Sequence, residues 1–459
     1  MILKRKIYDK LIDWKENYSK DYALMIEGAR RIGKSTIVER FAKENYKSYL
    51  IIDFASANKV VLSNFQDNLD NLDVFYQNLS LEYNKEFLKG KTLIVFDEVQ
   101  KFPRAREAIK YLVKDGRYSF LETGSLISLK ENVNDILIPS EEMKIKMLPL
   151  DFEEFLWASG ENVLLDYIQK CTREKKALDN RSHQKAMRLF EEYILVGGMP
   201  QSVVVFFENG RDFYKADRAK RTILDLYKDD INKAAKRYSS KVSALFNNIP
   251  GYLSTHEKKV VLSKIGEGHT FNKYDEPLFW LDDSMICNLC YQCNDPNVGF
   301  ALTKDETSVK CYMGDTGLLV SLAFSENEIV SKQLYKCIMS GKLSLNQGML
   351  YENAIAQMIV SSGRKLYFYT HYSKELHRND MEIDFLLSNG SKTSIKVYPV
   401  EVKSSTNYTT TSYDSFKKKF GKRIAKSYIV HPKQFEMDEN GLKVPPYMFF
   451  FMLQNDLQS

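Results

Sequence analysis

Short apolar runs alternate with helix-compatible stretches through the first third of the chain. ALMIEG (23–28), SYLIIDF (48–54), TLIVFDE (92–98) and SFLETG (119–124) are each brief, apolar and β-rich. Strands buried on both faces of a parallel sheet have this character. Ser35–Asn45 and Arg104–Val113 separate them as helices, which predicts an α/β domain. KIKMLPL (144–150) predicts one more strand, and DFEEFLWASG a helix that stops at Gly160. The opening, MILKRKIYDKLIDW, predicts an amphipathic helix and not a signal peptide, because it carries charges without an apolar central segment.

From about Glu161 to Leu322 the pattern turns mostly helical. Lys185–Leu195, Arg218–Ile231 and Lys241–Leu253 repeat apolar residues every three or four positions. KKVVLSKIGEG, a following short helix and VKCYMGDTGLL together predict a small winged-helix-like module. Strands return from about Gly348: KLYFYTH (365–371), EIDFLLS (382–388), VYPVEVKS (397–404), KSYIVHP (426–432) and YMFFFML (447–453). A helix, Gln347–Ser361, precedes them, and a Lys-rich helix, Ser412–Phe420, sits among them. The expected domains are therefore 1–160, 161–335 and 336–459.

Composition changes this picture little. The 459 residues are 44% apolar and 13% aromatic, which is enough for several cores and argues against disorder. A formal charge of +6 permits local contact with nucleic acid without arguing for it. No run reaches 18 apolar residues, so no membrane span is expected. Six cysteines make a poor disulfide framework, and a reduced cytoplasmic compartment fits better.

The chemistry begins at Gly28-Ala29-Arg30-Arg31-Ile32-Gly33-Lys34-Ser35, which matches G-x-x-x-x-G-K-[ST], with Thr36 next. The glycines let the backbone N–H groups face phosphates, and the following helix adds its positive end. Lys34 reaches the β- and γ-phosphates of ATP, Ser35 can ligate Mg²⁺, and Arg30 and Arg31 join the nucleotide-binding residues. LIVFDE then delivers Asp97 to the sheet's carboxyl edge, where it can hold the Mg²⁺ shell, and Glu98, placed to polarise the attacking water. Thr123 and Ser125 end the next strand, either sensing the γ-phosphate or capping a turn.

A second constellation lies near the C-terminus. Asp384 and the Glu401-Val402-Lys403 strand match the D…(D/E)-x-K pattern of metal-dependent nucleases, and Glu352 supplies a further acid. Period-two alternation puts Glu401 and Lys403 on one face. Glu352, Asp384 and Glu401 could bind a second Mg²⁺ or Mn²⁺, with Lys403 activating the water. The basic residues Lys417, Lys418, Lys419, Lys422 and Arg423, like Arg30, Arg31, Arg218, Lys220 and Arg221, either touch phosphates or form solvated faces. Cys287, Cys290 and Cys293, with Cys311, read as core more than as a metal site.

GARRIGKST, TLIVFDEVQ, LETGS, PLDFEEFL, YILVGGMPQSV, YMGDTGLL, GMLYEN, EIDFLL and PVEVKSS, in this order, resemble the prokaryotic AAA-type ATP-binding proteins with a restriction-endonuclease-like C-terminal domain. The resemblance covers nearly the whole chain. It implies a P-loop ATPase of the AAA type, a winged-helix-like connector and a PD-(D/E)xK nuclease-like domain. Family members often carry an arginine shortly after LETGS, where this chain has IPSEEMKIKMLPL, so no arginine finger is assigned. An arginine supplied in trans by a homo-oligomer is the alternative. Two functions follow: an ATPase that acts on DNA through a metal-dependent nuclease, or a nucleotide-switched DNA- or protein-binding module whose nuclease-like domain is silent.

Overall fold

The computed structural model describes residues 1–124, 139–235, 238–260, 274–324, 335, 347–375, 377–391, 394–438 and 441–458. The chain divides into two compact units, Lys4–Leu148 with Asp283–Met285, and Met1–Leu3 with Pro149–Asp282 and Ile286–Ser459.

The unit starting at Lys4 runs α1 (Ile7–Asn17), β1 (Ala23–Glu27), α2 (Lys34–Asn45), β2 (Ser48–Asp53), α3 (Lys59–Asp67), α4 (Leu72–Tyr83), β3 (Thr92–Asp97), α5 (Pro103–Asp115), β4 (Ser119–Gly124) and β5 (Glu142–Lys146). The sheet order is β2-β3-β4-β1-β5, with every pairing parallel. All five residues of β1 are buried, as expected of a central strand covered on both faces. Phe54, Phe65, Phe96 and Phe102 interlock edge-to-face and stacked on one side of this sheet. β5 begins two residues before the expected KIKMLPL strand and ends at Lys146, so the apolar half of that run leaves the sheet.

In the unit that holds Pro149 onward, α6 (Phe152–Ser159) opens with a capping box between Asp151 and Glu154 and closes on Gly160 at φ 76°. The helices α7 (Asn162–Glu174), α8 (Asn180–Val196), α9 (Pro200–Glu208), α10 (Phe213–Ala234), α11 (Ser239–Leu253) and α12 (Asp275–Asp283) follow. Next come β6 (Cys287–Cys293), β7 (Lys304–Met313), α13 (Thr316–Ala323), α14 (Gln347–Ser361), β8 (Leu366–Ser373), β9 (Arg378–Ile383), β10 (Phe385–Ser391) and β11 (Ser394–Val402). The last elements are α15 (Thr411–Phe420), β12 (Tyr428–Val430), β13 (Glu436–Asp438), β14 (Gly441–Val444) and α16 (Pro446–Gln458). One sheet has the order β7-β6-β8-β9, the other β10-β11-β12-β14-β13.

Three expectations change. YMFFFML is not a strand but the start of α16, opened by Pro446. It is buried all round, so its unbroken apolar run carries no helical period, and proline fits the first helical turn. EIDFLLS is two strands of different sheets, separated at Asp384. The expected division at 335/336 runs through one sheet, because Cys290–Gln292 of β6 pair in parallel with Leu366–Phe368 of β8. Most of KKVVLSKIGEG, from residue 261, lies outside the described residues.

The motifs YILVGGMP and YMGDTGLL meet. Asp315 caps α13 and accepts the Gly198 N–H, while Gly197 takes φ 79°. A Cβ on Gly317 would stand 2.5 Å from both Gly197 N and Val196 O, which are backbone atoms that cannot step aside. Gly317→Ala should therefore cost about 1–3 kcal/mol, read as a lower urea midpoint. Gly251→Ala is the control: its nearest neighbour is 4.0 Å away, and within α11 it should be neutral or stabilising.

Candidate functional site

The loop between β1 and α2 is built to curl. Arg31 and Gly33 take φ 69° and 87°. A Cβ on Gly28 would lie 2.3 Å from Ile32 Cδ1 and 2.5 Å from Met147 O, so only glycine fits there. Lys34, almost fully buried, folds back to donate to the carbonyls of Gly28 and Ala29, at 3.0 Å each. Burial pushes its ammonium below the usual lysine range, against the nearby Glu98 and Asp97. Arg30, Arg31, Ser35 and Thr36 are exposed along this loop and the first turn of α2.

Three groups from three elements converge at the carboxyl edge of the sheet. Ser35 Oγ donates to Asp97 Oδ1 at 3.0 Å, and Thr123 Oγ1 donates to the same oxygen. Thr123 also accepts the Glu98 N–H at 3.3 Å. Ser35 and Asp97 thus present hard oxygen donors beside each other, which fits Mg²⁺. Glu98 sits at φ 54°, a left-handed backbone that costs an ordinary residue roughly 1–3 kcal/mol and so marks a position over-determined by its surroundings. Gln100, unassigned from the sequence, donates to Glu98 Oε2 at 2.5 Å and fixes the carboxylate's direction. Ser125 lies outside the described residues.

Behind Thr123 the same strand buries Glu122 completely, between Phe96 of β3 and Met25 of β1. Its two carboxyl oxygens are buried without hydrogen-bond partners. Arg106 of α5 makes a two-pronged pair with neighbouring Glu142, at 2.8 and 2.9 Å. Burial, followed by the charge of Glu142, pushes Glu122 well above the ordinary carboxyl range. The folded protein then keeps a proton that the unfolded chain releases above about pH 4.3. Glu122 contributes full stability below that pH and loses it as pH rises towards its folded pKa. Glu122→Gln should raise Tm at pH 8 and flatten the decline of Tm from pH 5 to 8, followed by calorimetry.

The C-terminal carboxylates do come together, but around lysines. Lys310 of β7, fully buried, stands 3.3 Å from Glu352 Oε1, 3.6 Å from Glu382 Oε1 and 3.9 Å from Asp384 Oδ1. Lys258 pairs with Glu352 Oε2, and Tyr312 donates to Glu352 Oε1. Asp384 Oδ2 accepts the Val402 N–H at 2.8 Å, and Lys403 donates to Glu401 Oε1 at 2.6 Å on the expected common face. Burial works against ionising Glu352, but Lys258 and Lys310 outweigh it and bring the carboxyl down to about 2. Burial, then the charge of Glu352, pushes Asp384 up; burial, then Asp384, pushes Glu401 up. Among the described residues no group of three or more His, Cys, Asp or Glu side chains is arranged to hold a metal ion. Lys258, Lys310, Tyr312 and Glu382 lie in stretches singled out from the sequence, KKVVLSKIGEG, VKCYMGDTGLL and EIDFLL, but none was assigned to this site; the one signal was a lysine inside the apolar strand VKCYM.

The other candidates separate cleanly. Lys220 is fully buried and donates to Leu195 O, and Arg221 pairs with Asp217 at 2.7 Å, so neither is placed for phosphate. Lys418, Lys419, Lys422 and Arg423 are exposed. Cys287, Cys290, Cys293 and Cys311 are buried free thiols; Cys290 sits opposite Lys310 in the ladder and Cys311 opposite Leu289.

A family model described as an AAA domain matches residues 20–156. Models described as domains of unknown function, DUF8612 and DUF4143, match 187–328 and 347–450. An uncharacterized protein of Methanocaldococcus jannaschii is 23% identical over 81% of this chain and 74% of its own. An uncharacterized protein of Haemophilus influenzae is 23% identical over 69% of this chain and 72% of its own. Among solved structures, the S. cerevisiae Hsp104-ADP complex aligns with 79% of this chain at 11% identity and a TM-score of 0.27, and the chain spans 44% of its length. No helix among the described residues is long and apolar enough to cross a membrane. The matched model spans the Gly28–Lys34 loop and the strand that ends at Asp97, and on it the chain carries an AAA-type ATPase domain.

Proposed function

We propose that the chain hydrolyses Mg-ATP at the Gly28–Thr36 loop and uses the nucleotide state to switch a binding module formed by its later segments. The observation that carries the first half is the meeting of Ser35 and Thr123 hydroxyls on one oxygen of Asp97, with Glu98 fixed beside them. Lys34, now held by two carbonyls, exchanges them for phosphate oxygens and neutralises their charge. Ser35 and Asp97 would hold magnesium, which withdraws charge from the phosphate oxygens. Glu98 orients the attacking water and takes up its proton, and Gln100 keeps that carboxylate aimed. Thr123 ties the Glu98 backbone to Asp97, so the base and the metal ligand move as one piece.

Lys34→Ala should weaken ATP binding tenfold or more, on the order of the 1.4 kcal/mol that one such factor represents. Glu98→Gln should bind ATP as the parent does and lose steady-state phosphate release. Equal turnover by parent and Glu98→Gln would sink the assignment.

For the later segments, binding is better supported than cutting. The carboxylates expected to hold a catalytic ion already face lysines, a tyrosine and a backbone amide. The exposed Lys418, Lys419, Lys422 and Arg423 form a basic edge suited to DNA or an acidic protein. Incubated with DNA and Mg²⁺ or Mn²⁺, with or without ATP, the protein should leave the strands intact. Metal-dependent nicking that disappears in Lys403→Ala would restore the nuclease reading.

A further inference from the structure

We propose that the ammonium group of Lys310 takes the place of the divalent ion that the Glu352, Asp384 and Glu401 constellation would otherwise hold, making the carboxylate centre metal-independent. The six carboxylate oxygens of those three residues can be followed one by one. Glu352 Oε1 faces Lys310 and Tyr312, and Oε2 faces Lys258. Asp384 Oδ1 faces Lys310, and Oδ2 the Val402 amide. Glu401 Oε1 is held by Lys403, and Oε2 is buried without a hydrogen-bond partner. A Mg²⁺ ion keeps several waters but still binds through one or two carboxylates of its site. Here each of the three carboxylates already faces an ammonium group, so an added divalent ion would meet positive charge at every one of them.

The cations are also built in deliberately. Lys310 lies mid-strand and fully buried, its ammonium over the face of Phe368 at 5.0 Å, so it cannot swing out to solvent as a surface lysine would. Lys258 reaches Glu352 from a left-handed backbone at φ 53°, where its own N–H is held by Thr255 Oγ1 at 3.2 Å. Lys259, the next residue, bridges Lys310 in antiparallel pairing, which locks both lysines in register. A buried charge of this kind persists only when matched by opposite charge and hydrogen bonds. Removing one partner leaves the rest uncompensated. Lys258 and Lys310 come from residues before 335 and the carboxylates from residues after it, so the ion cluster joins the stretches matched by the two models of unknown function.

This deepens the binding-module reading and can fail separately from it, because a silent nuclease could still hold metal. The test uses the full chain carrying Asp97→Asn, so that the nucleotide site does not mask the result. Titration with Mn²⁺ followed by electron paramagnetic resonance should find no ion retained, and Mn²⁺ should leave Tm unchanged. Lys310→Met in that background should lower Tm, and Mn²⁺ should restore part of the loss by serving the freed carboxylates. A retained Mn²⁺ that is released by Glu401→Gln overturns the proposal, whether or not DNA is cut. So does a Lys310→Met protein as stable as its parent and indifferent to Mn²⁺. If Lys310→Met does not fold, recovery of folding in Lys310→Met/Glu382→Gln supports the charge-matching account, and the resonance titration of the parent decides the rest.

Discussion

A positive charge sealed inside a protein has to be met by negative charge, and that requirement organises much of the unit built from Pro149 onward. Lys310 has no route to water, so α14, β9 and the residue between β9 and β10 must each bring a carboxylate to it. Leaving such a charge unmatched costs several kcal/mol, a large fraction of a typical folding free energy. The break at Asp384, where one run of apolar sequence passes from one sheet to the other, is where this demand meets the backbone. Asp384 serves both sides, facing Lys310 with one oxygen and the Val402 amide with the other.

The chain's other buried lysine with a chemical assignment is handled in the opposite way. Lys34 makes its hydrogen bonds to the neutral carbonyls of its own loop, with Glu98 and Asp97 acting on it only through their nearby charge, and burial depresses its hold on a proton. Carbonyl dipoles are weaker partners than carboxylates. Under the ATP cycle proposed above, the ammonium group would exchange those carbonyls for phosphate oxygens. Lys310, by contrast, already has its strongest available partners. The same side chain serves as a receptor in one setting and as a keystone in the other, and the difference lies wholly in what faces it.

How much of this could be read from the sequence follows the same division between local and long-range cause. The loop between β1 and α2 was legible because its curl depends on closely spaced residues: Gly28, Gly33, Lys34 and Ser35 all fall within eight positions. The helix Gln347–Ser361 and the strand ending at Asp97 were legible from their apolar pattern and length. YMFFFML was not, since a helix buried on every side has no polar face to betray its period. Gln100 stood in plain view two residues after Glu98, but only the turn at Glu98 brings their side chains together. Lys258 and Lys310 are separated by 94 and 42 residues from Glu352, and no spacing rule links them. The carboxylates were found from their motif, while what they hold depended on contacts that the motif does not encode.

The pairing of β6 with β8 has a consequence for the birth of the protein. Cys290 and Leu366 are 76 positions apart (366 − 290), yet they are partners in one parallel ladder. At a synthesis rate of about 5–20 residues per second, β6 waits roughly 4–15 s on the ribosome before its partner is made. During that interval one edge of an apolar strand, CNLCYQC, stands open with its thiols and unpaired amides. The newborn chain therefore still carries an open strand edge after the nucleotide domain has had time to fold, so any need for a chaperone should extend into that window.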